Sequence, residues 1–330
     1  MQSLFSAPSI ELLEKSHDEA RRLLATGAPV YLTVNPVEFH GPHLSLHNDR
    51  LVSRGLARDL HARLAPTHPE WPLLFAADLE VGVGPCHGVG TRHLTFQTVR
   101  QLVLEACRAL AELGAQRVVL MSFHGAPLHS VAVQAGVDLL RARGVRAFAP
   151  LNLVLRELVH FEGDPGAEFA DGLAPVADTG KRAQLAALLH QDFHAGFFET
   201  SMAMHYAPAS VSPRHRDLPP CPRYAPDAKL AAAARAARLL GRTELARELD
   251  FAAIGQAWGE LRPFPGYTSH PALASAESGA AFAAHILERY ERAAIAVFDQ
   301  GAPPPLPVMT WVNTVSAGGR FGMRPPRTEA

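Results

Sequence analysis

Residues 34–49 read Val34-Asn-Pro-Val-Glu38-Phe-His40-Gly-Pro-His43-Leu-Ser-Leu-His47-Asn-Asp49, which places two carboxylates and three histidines within a dozen residues. The stretch follows the apolar run Val30 to Val34, which is typical of a buried strand. In an open α/β sheet, ligands bind just beyond the carboxyl ends of the strands. The stretch therefore predicts a functional site at the end of the first strand of such a sheet.

Three side chains of this stretch suit a divalent metal ion. Glu38 and His40 point to the same side if the strand continues, because strand side chains repeat every two residues. Asp49 begins the next helical pattern, where free N–H groups favour a carboxylate. Two carboxylates and an imidazole aimed at one point describe a site for zinc, manganese or iron. Any one of the histidines alone would be typical of a structural residue, so the prediction depends on the whole cluster.

Composition excludes several classes of protein. The 330 residues carry 31 basic and 32 acidic side chains without a basic block, so a nucleic-acid partner is not expected. Three widely spaced cysteines exclude a disulfide framework and suit a reducing compartment. No apolar run is long enough to cross a membrane, and charged residues interrupt the N-terminal stretch. We therefore expect a cytoplasmic protein that does not bind membranes.

Strand and helix patterns alternate along the chain, which predicts an α/β fold. Strands are predicted at 29–35, within 71–83, at 117–123 and at 145–153; helices are predicted at 9–26, 49–64, 95–113, 128–143 and 275–300. This β-α-β order predicts a mostly parallel central sheet flanked by helices on both faces. The strand at 117–123 leads directly to His124, which is therefore expected near the Glu38 cluster as a third ligand.

A glycine-rich loop, Gly82-Val-Gly84-Pro-Cys86-His87-Gly88-Val-Gly90, follows the second strand. It lacks the Gly-Lys-Ser/Thr ending of a P-loop and the spacing of the dinucleotide fingerprint, so a loop that lines a substrate pocket is favoured over a phosphate site. Cys86 and His87 could form a nucleophile–base pair. Adjacent residues rarely face each other, however, and a role in lining the pocket is favoured for both.

The second half of the chain contains another cluster of polar groups, Asp192-Phe-His194-Ala-Gly196-Phe-Phe-Glu199-Thr-Ser201. Residues 156–190 before it are irregular and acidic and predict a long loop or lid. A proline-rich connector lies in the segment 213–262, followed by a helical hairpin at 227–240 and 243–258. A role of this hairpin in packing or oligomer contacts is favoured over chemistry.

Four segments resemble the creatininase (creatinine amidohydrolase) family. Glu38 to Asp49 resembles the family's E-x-H-G-P-H-L…D signature, and Ser122-Phe-His124-Gly125 is similar to its N-G-H-G segment. His194 to Ser201 matches H-A-G-x-x-E-T-S, and Pro271 to Gly279 resembles the family's late P-x-x-A-x-x-x-x-G helix start. The resemblance implies a single creatininase-like three-layer domain over residues 1–330, with insertions at 156–190 and 213–262.

The resemblance also implies a ligand set for one or two divalent ions. Glu38, Asp49 and His124 would hold one ion, while His40 and a bridging Asp49 would hold a second. In creatininase the remaining carboxylate for the second ion lies two residues after the histidine of the third strand, and that position is Ala126 here. Glu199 is our candidate for the replacement ligand, and a role in orienting the other ligands is the alternative.

The activity implied is that of a metal-dependent hydrolase, which cleaves the C–N bond of a small or cyclic amide by attack of a metal-bound hydroxide. His194 is the expected proton donor to the leaving nitrogen, because histidine titrates near neutral pH. His43 and Asp192 are expected to orient the ligands. Ser122 and Ala126 replace residues of the N-G-H-G segment and argue against creatinine itself as the substrate.

Two alternatives to amide hydrolysis remain open. The same metal centre could hydrolyse a lactone, a sugar ring or a peptide bond, or the chain could be a non-catalytic metal-binding relative. The expected partner is a small-molecule substrate. The resemblance further implies a homo-oligomer, commonly a hexamer.

Overall fold

The fold is described by a computed structural model, which covers residues 8–161, 163 and 167–321. Its strands are β1 (Ile10–Glu11), β2 (Pro29–Val34), β3 (Leu74–Leu79), β4 (Arg117–Met121) and β5 (Arg146–Phe148). They form one sheet in the order β1-β3-β2-β4-β5, in which every neighbouring pair is parallel. The predicted α/β class with a parallel central sheet is confirmed.

Helices cover both faces of the sheet. They are α1 (His17–Ala25), α2 (Asn48–Leu64), α3 (Phe96–Leu113), α4 (Pro127–Ala142), α5 (Leu151–Val159), α6 (Ala170–Leu173), α7 (Thr179–Leu188), α8 (Phe197–Tyr206), α9 (Ala228–Leu239), α10 (Thr243–Gly259), α11 (Ala276–Phe298) and α12 (Trp311–Val315). Helices α3 and α4 pack together, whereas α2, α8 and α11 pack on one another. The sheet and these two groups form the three layers that the resemblance implied.

The central strand β2 positions the functional region. All six of its residues are buried, as expected for a parallel strand that is covered on both faces. It lies between β3 and β4, so the loops that follow these three strands meet at one edge of the sheet. The loop at 35–47 leads from β2 into α2, whose first turn contains Asp49.

Two predicted boundaries were wrong. The helix predicted at 9–26 consists of β1, a 3₁₀ turn at Leu12–Glu14 and α1. Ser16 caps α1 by accepting a hydrogen bond from the Glu19 N–H at 3.3 Å, so the helix starts there. The strand predicted at 145–153 ends at Phe148, and α5 follows, because Pro150 suits the start of a helix and not the interior of a strand.

The insertion predicted at 156–190 contains more helix than expected, and the one predicted at 213–262 contains the expected helices. Residues 156–190, predicted as a loop, include the end of α5 and the helices α6 and α7, while residues 162 and 164–166 lie outside the described part. The helical hairpin within 213–262 is confirmed as α9 and α10. The division of the chain into one domain with insertions stays a prediction.

Close packing of α8 on α11 depends on Gly279. An added Cβ at this position would lie 2.0 Å from the backbone oxygen of Ser201, which cannot move without shifting α8. Gly255, in α10, is different, since an added Cβ would meet no atom of the described residues within 4 Å. Gly279 and Gly255 therefore allow the same substitution to be compared at a packed and at an open position of a helix.

We expect Gly279→Ala to lower the free energy of unfolding by about 3 kcal/mol, because the methyl group forces α8 and α11 apart. Gly255→Ala should leave that free energy unchanged or raise it by up to about 1 kcal/mol, because alanine favours the helix. Urea denaturation monitored by circular dichroism measures both. Equal effects of the two substitutions would contradict this account of the packing.

Candidate metal centre

Glu38 lies at the centre of a buried polar cluster beyond the end of β2. Its side chain is 1% exposed, and its Oε2 accepts a hydrogen bond of 2.7 Å from the Cys86 N–H. Its Oε1 lies 3.1 Å from His124 Nδ1 and 3.4 Å from His40 Nε2. One carboxylate therefore contacts both imidazoles that follow the ends of β2 and β4.

Asp49 completes the inner side of the cluster from the first turn of α2. Its Oδ1 lies 3.0 Å from His40 Nε2, and its Oδ2 lies 3.7 Å from His124 Nδ1. Asp49 Oδ2 is buried and has no hydrogen-bond partner among the described residues. A buried carboxylate oxygen without a donor is costly unless a cation satisfies it.

Glu199 approaches the cluster from the first turn of α8. Its Oε2 lies 3.8 Å from His40 Nε2 and accepts a hydrogen bond of 2.6 Å from the Ala195 N–H. The candidate ligand from the second half of the chain thus reaches the same point as Asp49. Ala126, at the family's usual ligand position, precedes α4 and offers no ligand atom.

The three central histidines each bond to a backbone carbonyl through one ring nitrogen. His40 Nδ1 lies 3.1 Å from the oxygen of Glu38, His124 Nε2 lies 3.0 Å from that of Val83, and His194 Nε2 lies 2.9 Å from that of Phe39. A carbonyl only accepts, so each of these nitrogens carries the proton. The other nitrogen of each ring is left for the carboxylate cluster, which is the second-sphere arrangement of metal-ligating histidines.

The donor atoms fall into groups that fit a divalent ion. One group is Glu38, Asp49 and His124, and a second is His40, Asp49 and Glu199; within each, the ligand atoms lie within 4.8 Å of one another. Asp49 belongs to both. A third group, Glu38, His40 and His194, overlaps them. Mixed imidazole and carboxylate donors suit zinc, manganese or iron, so the residues present fit the implied metal.

The pKa values of His40 and Glu199 also fit a site for a cation. Burial alone would lower the pKa of His40, but Asp49, Glu38 and Glu199 reverse this and raise it to about 10. Burial raises the pKa of Glu199 to about 8 against the opposing charge of His40. Protons on these two groups therefore compensate the excess of carboxylates in the absence of a cation. A bound divalent ion would replace them, since metal ligands must be deprotonated.

His194 differs from the other two histidines in its charge. Burial, together with the neighbouring His40, lowers the pKa of His194 to about 3. Its ring stacks on that of His40 at 4.5 Å between centroids, and its Nδ1 lies 4.0 Å from Glu38 Oε1. His194 is therefore a neutral imidazole whose Nδ1 lacks a proton and faces the cluster. The expectation that it titrates near neutral pH was wrong, because burial disfavours its charged form.

His43 and Asp192, predicted to orient the ligands, both hold the segment around α8. His43 Nε2 lies 2.9 Å from Oγ1 of Thr200, the residue after Glu199. Asp192 accepts hydrogen bonds from the Phe198 N–H at 2.9 Å and from the Thr268 hydroxyl at 3.1 Å. Burial lowers the pKa of His43 to about 4 and raises that of Asp192 to about 6.

Cys86 and His87 lie in the wall of a large cavity that opens onto the cluster. The cavity has a volume of about 1030 Å³, and Glu38, His124, His194 and Glu199 line its inner end. Burial and the charge of Glu38 raise the pKa of the Cys86 thiol, which disfavours the thiolate that a nucleophile requires. Its contribution to the site is the backbone N–H that holds Glu38.

Some supporting residues were missed in the sequence. Asn35 Oδ1 accepts hydrogen bonds from the Phe123 N–H at 2.9 Å and from the Ser53 hydroxyl at 3.1 Å, so it ties the ends of β2 and β4 to α2. Trp258, in α10, lies 5.4 Å from the His194 ring, although the hairpin was assigned to packing or oligomer contacts. Asn35 lies directly before the opening cluster and was a readable signal, whereas nothing local marks Trp258.

Comparison with known proteins places the chain in a family. The model of creatininase, described as creatinine amidohydrolase, matches residues 14–294. The chain belongs to the creatininase family. The resemblance inferred from the sequence motifs is thereby confirmed, and the described residues contain a buried His/Glu/Asp cluster that could hold a metal ion.

Individual relatives are distant. A mycofactocin precursor peptide peptidase from Mycobacterium ulcerans (strain Agy99) is 28% identical over 196 residues, which cover 58% of this chain and 63% of that protein. A creatinine amidohydrolase from Pseudomonas putida is 28% identical over 205 residues, which cover 60% of this chain and 72% of that protein. The chain therefore spans somewhat less than two thirds of the length of the peptidase that it matches.

Solved structures of creatininases share the fold. A manganese creatininase has a TM-score of 0.57 at 21% identity, covering 88% of this chain and all of the other. A mutant creatininase of Zn-Zn type has a TM-score of 0.57 at 22% identity, covering 89% of this chain and all of the other.

No described helix is long and apolar enough to cross a membrane.

His129 supports the cluster from α4. Its Nε2 lies 3.1 Å from both the Val34 oxygen and Ser122 Oγ, and its ring meets the edge of His124 at 4.9 Å between centroids. Burial and the charge of His124 lower the pKa of His129 to about 3. The folded protein thus holds this ring neutral at pH values where the unfolded chain protonates it.

A pH dependence of stability follows from this shift. Because the folded pKa is below the unfolded value, the stability contribution of His129 is lost as pH falls below about 6.5. Between pH 7 and pH 5 we expect the metal-free wild type to lose about 2 kcal/mol more unfolding free energy than His129→Gln. Urea denaturation at both pH values measures the difference, and parallel losses in the two proteins would contradict it.

Proposed function

We propose that this protein is a metal-dependent hydrolase that cleaves the C–N bond of an amide. The observation that carries the proposal is the pair of donor groups that share the buried Asp49, of which Glu38, His124 and Glu199 line the cavity. Two ions held by these groups would lie next to the space where a substrate binds. A structural metal site would instead be closed by protein ligands on all sides.

In this proposal Glu38, Asp49 and His124 would hold one ion, and His40, Asp49 and Glu199 would hold the other. Bound divalent ions supply a water of lowered pKa and polarise the amide carbonyl. The protein supplies the fixed geometry. Backbone carbonyls orient the imidazoles, and the Cys86 and Ala195 N–H groups orient two carboxylates.

His194 is the proposed proton carrier. Its Nε2–H is committed to the Phe39 oxygen, so Nδ1 is the nitrogen available to the reaction. Nδ1 lacks a proton in the folded protein, so in this proposal it would accept one from the attacking water only transiently and pass it directly to the leaving nitrogen. An amine leaves only after it is protonated, so a proton carrier at this position favours an amide over a lactone as the substrate.

Peptide-bond hydrolysis is the second candidate, and the size of the cavity favours it. A volume of about 1030 Å³ is at the upper end of the range for sites that enclose drug-sized ligands. One relative is named a peptide peptidase, and a peptide bond is an amide that needs the same proton. Cytoplasmic location, a homo-oligomer and the identity of the metal stay predictions.

Metal content tests the ligand set. We expect about two manganese or zinc ions per reconstituted wild-type chain and about one in Glu199→Ala, because that variant loses the carboxylate of the second donor group. Inductively coupled plasma mass spectrometry measures both. Glu157→Ala is the control. Glu157 belongs to a separate group of possible ligands with Glu168 and His285, and its carboxylate already accepts a hydrogen bond from Arg289. Two ions in Glu199→Ala, or one in Glu157→Ala, would contradict the assignment.

Kinetics test His194. We expect His194→Gln to lower kcat for amide hydrolysis by about 10²- to 10⁴-fold with little change in KM, because it removes a proton carrier and no ligand. Metal content should stay at the wild-type value. Loss of an ion in this variant would show instead that His194 ligates a metal through the third donor group.

A further inference from the structure

The cavity wall is mostly apolar away from the ligand cluster, and we call the space beside this part of the wall the outer compartment. Helix α5 contributes Leu155 and Leu158, α10 contributes Phe251 and Trp258, and the segment at 309–312 contributes further apolar side chains. Trp258 donates its indole N–H to the Tyr267 oxygen at 3.0 Å, which satisfies its polar atom. A ring held in this way offers the compartment an apolar surface beside His194.

One face of α10 is left open toward this compartment. Gly255 and Gly259 are four residues apart on the helix, and both line the cavity. A Cβ added at either would meet no atom of the described residues within 4 Å. Residues with side chains at these positions would fill the compartment, so the two glycines keep open a volume that a small cyclic amide does not need.

A half-buried polar contact joins the helices and the C-terminal segment that form these walls. Glu248, in α10, has its Oε1 3.0 Å from Nε2 of His160, at the end of α5, and the same oxygen accepts a hydrogen bond of 2.8 Å from the Met309 N–H. Three segments that are distant in the sequence are therefore fixed to one another. A compartment with fixed walls selects its ligand by shape, because little reorganisation is available to accommodate a poor fit.

We propose that this compartment is the specificity subsite of the hydrolase, and that its substrates are amides with a bulky apolar group, aromatic or branched, next to the scissile bond. The inference rests on the proposed function, since the compartment opens onto the proposed metal centre. Burial of a phenyl group against Phe251 and Trp258 would favour such a substrate over one with a methyl group by about 10- to 100-fold in kcat/KM.

The test compares blocked dipeptides with the manganese- or zinc-loaded full chain. The substrates are Ac-Phe-Ala-NH₂, Ac-Ala-Phe-NH₂ and Ac-Ala-Ala-NH₂, with creatinine as the small cyclic amide. We expect one phenylalanine peptide to be preferred over Ac-Ala-Ala-NH₂ by about 10- to 100-fold. Gly255→Leu should abolish that preference, because its side chain occupies the phenyl site.

Two further variants make the result specific. Gly259→Leu, one turn along the same face, should act in the same direction as Gly255→Leu. Ala233→Leu is the matched control, since Ala233 is exposed on α9 and does not line the cavity, and it should leave the preference intact. Equal losses for the phenylalanine and alanine peptides in Gly255→Leu, or a wild type that prefers creatinine, would overturn the proposal.

Binding separates failure of the subsite from failure of the hydrolase. If the metal-loaded wild type cleaves none of the four compounds, isothermal titration calorimetry with N-acetylphenylalaninamide and N-acetylalaninamide decides. Tighter binding of the phenyl compound that is lost in Gly255→Leu would support the subsite while the hydrolytic function fails. Equal affinities of the two compounds for wild type would overturn the subsite itself.

Discussion

Three carboxylates buried side by side, those of Glu38, Asp49 and Glu199, are the constraint on which the rest of the structure depends. Burying charges of one sign costs several kcal/mol per group unless partners compensate it. The charged imidazoles of His40 and His124 provide part of that compensation, and a bond from one ring nitrogen to a backbone carbonyl fixes each of them. Asp49 Oδ2 is nevertheless left without a donor in the described residues, and a cation bound at this position would complete the balance.

The fold brings these groups together through two kinds of backbone position, the first turns of helices and the ends of parallel strands. Asp49 and Glu199 both lie in the first turn of a helix, where free N–H groups and the helix dipole favour a carboxylate. Glu38 and His124 follow the ends of the neighbouring strands β2 and β4, which meet at the same edge of the sheet. Asn35 joins these two strand ends to α2 through its side-chain oxygen. Helix starts therefore place Asp49 and Glu199, whereas Glu38 and His124 lie in loops that begin at the ends of neighbouring strands.

The sequence revealed the centre of the fold more fully than its periphery. Strand β2 and helices α2, α3 and α11 have strong hydrophobic patterns and clear stops, and they were found nearly as they are. The short apolar run after residue 145 was misread because periodicity cannot separate a buried strand from the first turn of a buried helix. At the N-terminus, Ser16 and Glu19 have the spacing of a capping box, which marks the true start of α1 and was not used. The ligand positions came from motif spacing, whereas Trp258 lies more than 130 residues from the opening cluster and only tertiary packing brings it there.

The residues proposed for the chemistry and those proposed for substrate selection lie in different parts of the chain. The candidate ligands and His194 all lie within the residues matched by the family, and their donor groups need no contribution from α10 or the C-terminal segment. The outer wall, by contrast, includes Met309 and Trp311, which lie beyond the matched residues 14–294. A centre that polarises any amide carbonyl has little basis for choosing among amides, because the polarised group is the same in all of them. Selection must therefore come from the surface that meets the rest of the substrate, and here that surface is wide, apolar and fixed by Glu248.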